Sequence, residues 1–123
     1  MVKSFLECLK ERVLVGDGGM GTMLYQKGIF ITKSFEELNI SNPKLVVDVH
    51  KEFVEAGADL IETNTFGSTR IKLEEYGIGD RTREINVAAA KLARSCADKF
   101  NTSGKKFVAG SLGPTGFLPS SSD

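Results

Sequence analysis

Apolar residues along this chain follow two rhythms, and the changes between them mark its elements. Val2, Phe5, Leu6, Leu9 and Val13 recur at three- and four-residue steps, which predicts a short amphipathic helix that caps the fold ahead of the first strand. Val13 to Asp17 is a short apolar run ended by glycine, the pattern of a strand buried on both faces as in parallel sheets. A glycine-rich turn follows, then a helix of barely two turns from Thr22 to Lys27, and the stretch around Glu36 and Glu37 reads as loop or helix. Asn42 offers an N-cap and Pro43 a first helical position, after which Leu45, Val46, Val49, Phe53 and Ala56 mark one face up to Gly57 as the stop. Asp59 to Thr63 predicts a second strand after a very short connection. From Asp80 or Thr82, the residues Ile85, Ala88, Ala89, Leu92, Ala93 and Cys96 fit a helical stripe whose alanines suit close packing on a sheet. Asn101 to Gly104 is a polar loop, Lys106 to Leu112 predicts a third strand running into Gly113 to Gly116, and the sequence closes on Ser120 to Asp123.

This order of strand, helices, strand, helix, strand needs crossovers long enough for parallel pairing, so the class is α/β. Polar or glycine-rich clusters at Asp17–Gly21, Glu62–Gly67 and Ser111–Gly116 all follow predicted strands, the end at which α/β folds hold ligands. Three parallel strands leave two open edges, whereas a closed barrel takes eight strands in about 250 residues. Residues 1–123 therefore read as one incomplete domain, expected to be poorly soluble or to fold with a partner because apolar faces lack their cover.

Composition narrows the partner. Sixteen basic and sixteen acidic side chains cancel without a basic face, which argues against nucleic acid and acidic membrane surfaces and for a small molecule. Charges among the first fifteen residues exclude a signal-peptide core, and no long apolar run suits a membrane span, so a cytoplasmic setting is expected. Cys8 and Cys96 form no C-x-x-C pair and read as packing residues, and His50, without a second ligand nearby, reads as a surface or packing residue. The charges of Arg81, Arg83, Glu84 and Lys91 fit a solvated helix face.

Three loops carry candidate chemistry. Gly16–Gly21 satisfies the spacing of a dinucleotide-binding turn, giving an oxidoreductase module as one reading. Against it stand the short following helix and the Asp17 carboxylate, which would face a pyrophosphate. The backbone N–H groups of Gly18, Gly19, Met20 and Gly21 at a helix start suit a single carboxylate better, although the glycines could equally serve a tight turn. Glu62, Asn64 and Thr65 end the second strand, where a carboxylate and an amide could hold an ammonium group. Ser111 to Gly116 is either a substrate-facing loop or a plain turn.

Gly16–Thr22, Glu37–Pro43, Glu55–Phe66, Ile85–Arg94 and Val108–Thr115, in that order, resemble the homocysteine S-methyltransferase family, in the form of the homocysteine-binding domain of cobalamin-dependent methionine synthases. The resemblance spans nearly the whole chain. It implies the N-terminal part, about three βα units, of a (β/α)8 TIM barrel that methylates homocysteine to methionine. It further implies a zinc ion that makes the homocysteine thiolate, methylcobalamin as the methyl donor, and further cobalamin and folate modules beside the rest of the barrel. In the family three cysteines bind the zinc, one after a middle strand and a Cys-Cys pair near the last strand. Neither motif occurs here, so no metal ligand or catalytic residue is assigned and the chain alone is expected to be inactive. Carried over, Asp17, Gly18, Gly19, Met20 and Gly21 match the loop that meets the amino-acid end of homocysteine, and Glu62, Asn64 and Thr65 match the second strand end. The family's amine-holding glutamate comes from a later strand than Glu62. A truncated, non-catalytic pseudo-domain is the remaining alternative.

Overall fold

Ser4 opens the first helix because its hydroxyl accepts from the Glu7 N–H while the Glu7 carboxylate accepts from the Ser4 N–H. The computed structural model describes residues 2–30, 32–101 and 104–118, and in it this helix, α1, spans Phe5–Glu11. None of its residues is buried. Its Phe5 ring meets Phe107 edge-on with centroids 5.4 Å apart, and Phe107 opens the last strand, so α1 caps the N-terminal end of the sheet, away from the glycine loop. Arg12 and Asp59 pair at 3.1 Å at this same end, where Asp59 also accepts from the Val15 N–H.

The sheet holds two strands, β1 (Leu60–Glu62) and β2 (Phe107–Ala109), paired in parallel with Ile61 opposite Val108. Residues 13–17 run beside β1 on its other edge. Val15 accepts from the Asp59 and Leu60 N–H groups, Gly16 bridges Leu60, and Asp17 donates to the Leu60 carbonyl at 2.9 Å. The three parallel segments therefore lie side by side in chain order, the α/β arrangement the sequence predicts. The first segment departs from expectation in one respect: it forms a single bridge, and the described residues leave Val13 and Val15 84% and 56% exposed. The strand expected over Lys106 to Leu112 likewise ends at Ala109, and Leu112 is exposed.

Six helices accompany these strands among the described residues. After α1 come α2 (Met20–Gln26), α3 (Leu38–Ser41), α4 (Pro43–Glu55), α5 (Arg70–Glu74) and α6 (Thr82–Lys99). α2 begins two residues before the expected Thr22, which moves Met20 and Gly21 into its first turn. Asn42 sits at the N-cap of α4 without a side-chain bond, whereas Gly57 ends that helix as the spacing requires. Gly57 adopts φ +106°, its N–H bonds Val54 O, and the Ala58 N–H bonds Phe53 O, the paired closure that favours glycine. A 3₁₀ turn at Gly79–Arg81 leads into α6, near the expected start. α5 has no counterpart in the apolar rhythm, since one turn capped by the Thr69 hydroxyl leaves too short a stripe to read. Residues 119–123, including the closing Ser120 to Asp123, lie outside the described residues.

Helices α4 and α6 pack against each other and on one side of the strands. Val54, Ala58, Ile61, Ala93, Cys96 and Ala97 form one buried cluster there, with Val108 at its edge. Leu24, Leu38, Val46 and Val49 form a second, and Phe53 touches both. Alternation along the strands turns Leu60, Phe107 and Ala109 to the opposite side, where they border a shallow depression with Phe5 and the Lys105 ammonium lies over the Phe107 ring. Cys96 packs as expected, and Cys8 is half-buried on α1. No helix among the described residues is long and apolar enough to cross a membrane.

His50 is a fully buried packing residue on α4, and neither ring nitrogen has a partner among the described residues. Burial lowers its pKa from 6.5 to about 4. A histidine held neutral in the folded state loses stability as pH falls from the unfolded value of 6.5 towards about 4, by up to roughly 3 kcal/mol. Urea unfolding of the wild type and His50→Leu across this window should show the leucine variant gaining relative stability as pH falls. A constant difference would mean that the imidazole is not held neutral by the fold.

Candidate functional site

The three strand ends open onto one cleft of about 280 Å³, lined by Asp17 to Gly21, Phe35, Glu62 to Phe66 and Ser111. All eight residues singled out from the sequence border it. Asp17 is anchored twice: its N–H donates to Leu60, and its Oδ2 accepts from the Glu62 N–H at 3.0 Å. Burial raises its pKa above 3.8, and the nearby Glu62 carboxylate adds to the rise against the pull of the Glu62 N–H. Glu62 itself is exposed at the cleft.

Close approach accounts for two glycines of the first loop, Gly18 and Gly21. None of Gly16, Gly18, Gly19 and Gly21 has positive φ, so a left-handed turn is not their reason. A Cβ at Gly18 would stand 3.1 Å from the Phe53 ring, and one at Gly21 would stand 3.2 Å from the Phe35 ring. Gly19 caps α2, so Met20 and Gly21 contribute first-turn N–H groups that the helix itself leaves without acceptors. This seven-residue helix leads to α3 and α4 before the chain reaches β1, so the compact βαβ unit of a dinucleotide site is not formed.

The second loop is tied to the third by hydroxyls. Ser111 N–H donates to Thr63 Oγ1 at 3.1 Å, and Thr65 Oγ1 donates to Ser111 O at 2.7 Å. The two hydroxyls lie 2.6 Å apart, and because the Thr65 proton is already committed, Thr63 is the donor between them. A closed ring results, completed above by Gly113 N–H to Phe66 O. Any side chain at Gly113 would overlap that Phe66 carbonyl. Asn64 donates to Phe35 O at 2.8 Å and to Asn39 Oδ1 at 3.1 Å, while Asn39 donates back to Asn64 O at 2.9 Å. Glu36 Oε1 accepts from the Gly67 N–H.

Asn64 and Thr65 thus line the cleft while their donor groups bond the protein. Sequence reasoning missed Phe35, Asn39 and Thr63, which shape the same wall. Thr63 could have been suspected from its place in the run Thr63-Asn64-Thr65, but Phe35 and Asn39 lie in a segment without periodicity. Ser111, undecided from spacing, borders the cleft.

Among the described residues no group of three or more His, Cys, Asp or Glu could hold a metal ion. Cys96 is buried between helices, and burial raises its thiol pKa, the opposite of what a thiolate ligand needs. The described residues therefore do not fit a zinc site.

Three comparisons bear on this cleft. Residues 14–123 match the sequence model of the family described as homocysteine S-methyltransferase. The chain is 40% identical to a methionine synthase of Mycobacterium leprae (strain TN) over 93% of its own length and 10% of that relative's. It superposes on the homocysteine methyltransferase MmuM from Escherichia coli in its oxidised form, with a TM-score of 0.77 and 28% identity over 88% of this chain and 40% of that one. The metallated form of MmuM gives 0.76 and 26% over the same shares. The chain thus spans two fifths of the solved relatives and a tenth of the methionine synthase. A family match that takes in all three strand ends, joined to this identity with a methionine synthase, makes the chain a member of the homocysteine S-methyltransferase family.

Proposed function

We propose that this chain supplies the amino-acid-binding side of a homocysteine S-methyltransferase site, as the N-terminal part of a (β/α)8 barrel that makes methionine. The observation that carries this is the convergence of Asp17–Gly21, Glu62–Thr65 and Ser111 on one cleft in a chain of this family. Two kinds of group meet there. Asp17 and Glu62 give the cleft negative potential suited to an ammonium group, and the N–H groups of Gly18 to Gly21 suit a carboxylate. An α-amino acid carries both charged groups on one carbon.

The remaining requirement is an ionised thiol. A free thiol has a pKa near 8.5, so attack on a methyl group at neutral pH calls for a group that stabilises the thiolate. In our reading a zinc ion supplies that chemistry through ligands outside this chain, and a methylated cobalamin supplies the methyl group. The existence of a metallated form of MmuM and the likeness to methionine synthase support that reading. The setting we propose is the cytoplasm.

Two measurements test this. An ammonium ligand favours ionised Asp17, so homocysteine binding should weaken as pH falls through the raised pKa of that residue. Asp17→Asn, which can still accept from Glu62, should bind homocysteine about tenfold more weakly and lose the acid-side dependence. Equal binding by the variant at neutral pH would remove Asp17 from the site. The 123-residue chain alone should bind zinc no better than a nonspecific control and transfer no methyl group, and zinc-dependent methionine formation by it would overturn the placement of the ligands elsewhere.

A further inference from the structure

Asn39 is 3% exposed on α3 and Asn64 is 4% exposed at the cleft wall, and their carboxamides face each other. Backbone carbonyls, which can only accept, fix which way each amide points. Asn39 must turn Nδ2 to Asn64 O, which leaves its Oδ1 towards Asn64. Asn64 must turn Nδ2 to Phe35 O, and its second N–H goes to Asn39 Oδ1. Both donor positions of Asn64 are then occupied, and the flipped amide would set its oxygen against the Phe35 carbonyl.

That arrangement decides what Asn64 shows the cleft. Its Oδ1 has no hydrogen bond among the described residues and is not one of the atoms sealed from solvent without a partner. Asn64 borders the cleft together with Asp17 and Glu62. A neutral acceptor beside two carboxylates suits a group with three N–H donors, which is an ammonium.

We propose that Asn39 is a positioning residue: its carboxamide locks Asn64 so that Asn64 Oδ1 accepts from the ammonium group of the amino acid in the cleft. This rests on the reading of the cleft as a homocysteine site. Asn39 touches no ligand and acts by fixing the polarity of another amide. Glu36, through Gly67, steadies the same loop from the same connecting segment, so the path from residue 36 to residue 39 braces the wall.

The test compares homocysteine with mercaptobutyrate, which keeps the thiol and carboxylate but lacks the ammonium group. Each is titrated into the nitrogen-labelled chain and followed by the amide signals of Gly18, Gly19 and Gly21. Wild type should prefer homocysteine. In Asn39→Ala, which removes the Oδ1 that accepts from Asn64 Nδ2, affinity for homocysteine should fall about tenfold while affinity for mercaptobutyrate stays within about twofold. Asn39→Leu, which removes the same acceptor at similar volume, serves the same comparison should the alanine variant fail to fold. Equal loss for both ligands would assign Asn39 a purely structural role and overturn the inference, as would unchanged discrimination in a folded variant. Wild type that ignores homocysteine would instead overturn the reading of the cleft, and this inference with it.

Discussion

A parallel ladder that stops leaves its last N–H and C=O groups to find other partners, and this cleft is shaped by how they do so. β1 and β2 end at Glu62 and Ala109. Beyond them the Thr63 N–H still reaches Ala109 O, and then side chains take over. Thr63 and Thr65 hold both polar groups of the Ser111 peptide in a closed ring of hydroxyls. Leaving one such buried group unpaired costs about 1–3 kcal/mol, more than a typical satisfied bond contributes, so the ring constrains geometry as well as adding stability. Together with the Gly113 N–H to Phe66 O bond, it fixes the spacing of the second and third loops.

The first loop is positioned by a different force. Gly18 and Gly21 lie so close to the Phe53 and Phe35 rings that a Cβ at either would press on the ring. Phe53 belongs to both apolar clusters, so the glycine loop rests directly on the packing of α4. Phe35 is held through its carbonyl by Asn64, so its ring answers to the polar network. One loop is thus set from below by apolar packing and from the side by hydrogen bonds. Asp17 joins the two systems, because its carboxylate accepts from the β1 end while its own N–H extends the sheet.

The two sides of the sheet are unequal. Ile61 is sealed by α4 and α6, whereas Leu60 and Ala109 on the other side are only half-buried beside Phe5 and Phe107, and Val13 and Val15 are exposed. The relatives are longer: this chain matches two fifths of MmuM. An apolar strand face of this kind is the sort a closed barrel buries. Burial on one side only also explains why residues 13–17 make so short a strand, since pairing without packing stabilises an extended segment weakly.

Local rules made much of the fold legible. Proline and glycine bounded α4, alanine spacing marked α6, and apolar runs closed by glycine located all three parallel segments, because each signal depends on residues within a turn or two of one another. The positions of Asp17, Glu62 and Asn64 at strand ends were legible for the same reason. What the sequence could not show was which atoms of those residues remain available. The Asn64 donors are claimed by Phe35 and Asn39, Thr65 is claimed by Ser111, and Gly18 lies tight against a ring thirty-five positions away, Phe53. α5 and the wall residues Phe35 and Asn39 left no periodic trace. By itself the sequence determined where polar groups gather, since strand ends and helix starts follow from neighbours along the chain; only the tertiary structure decided which of them face the cleft unpaired, because hydrogen bonds between loops distant in sequence depend on how the helices pack.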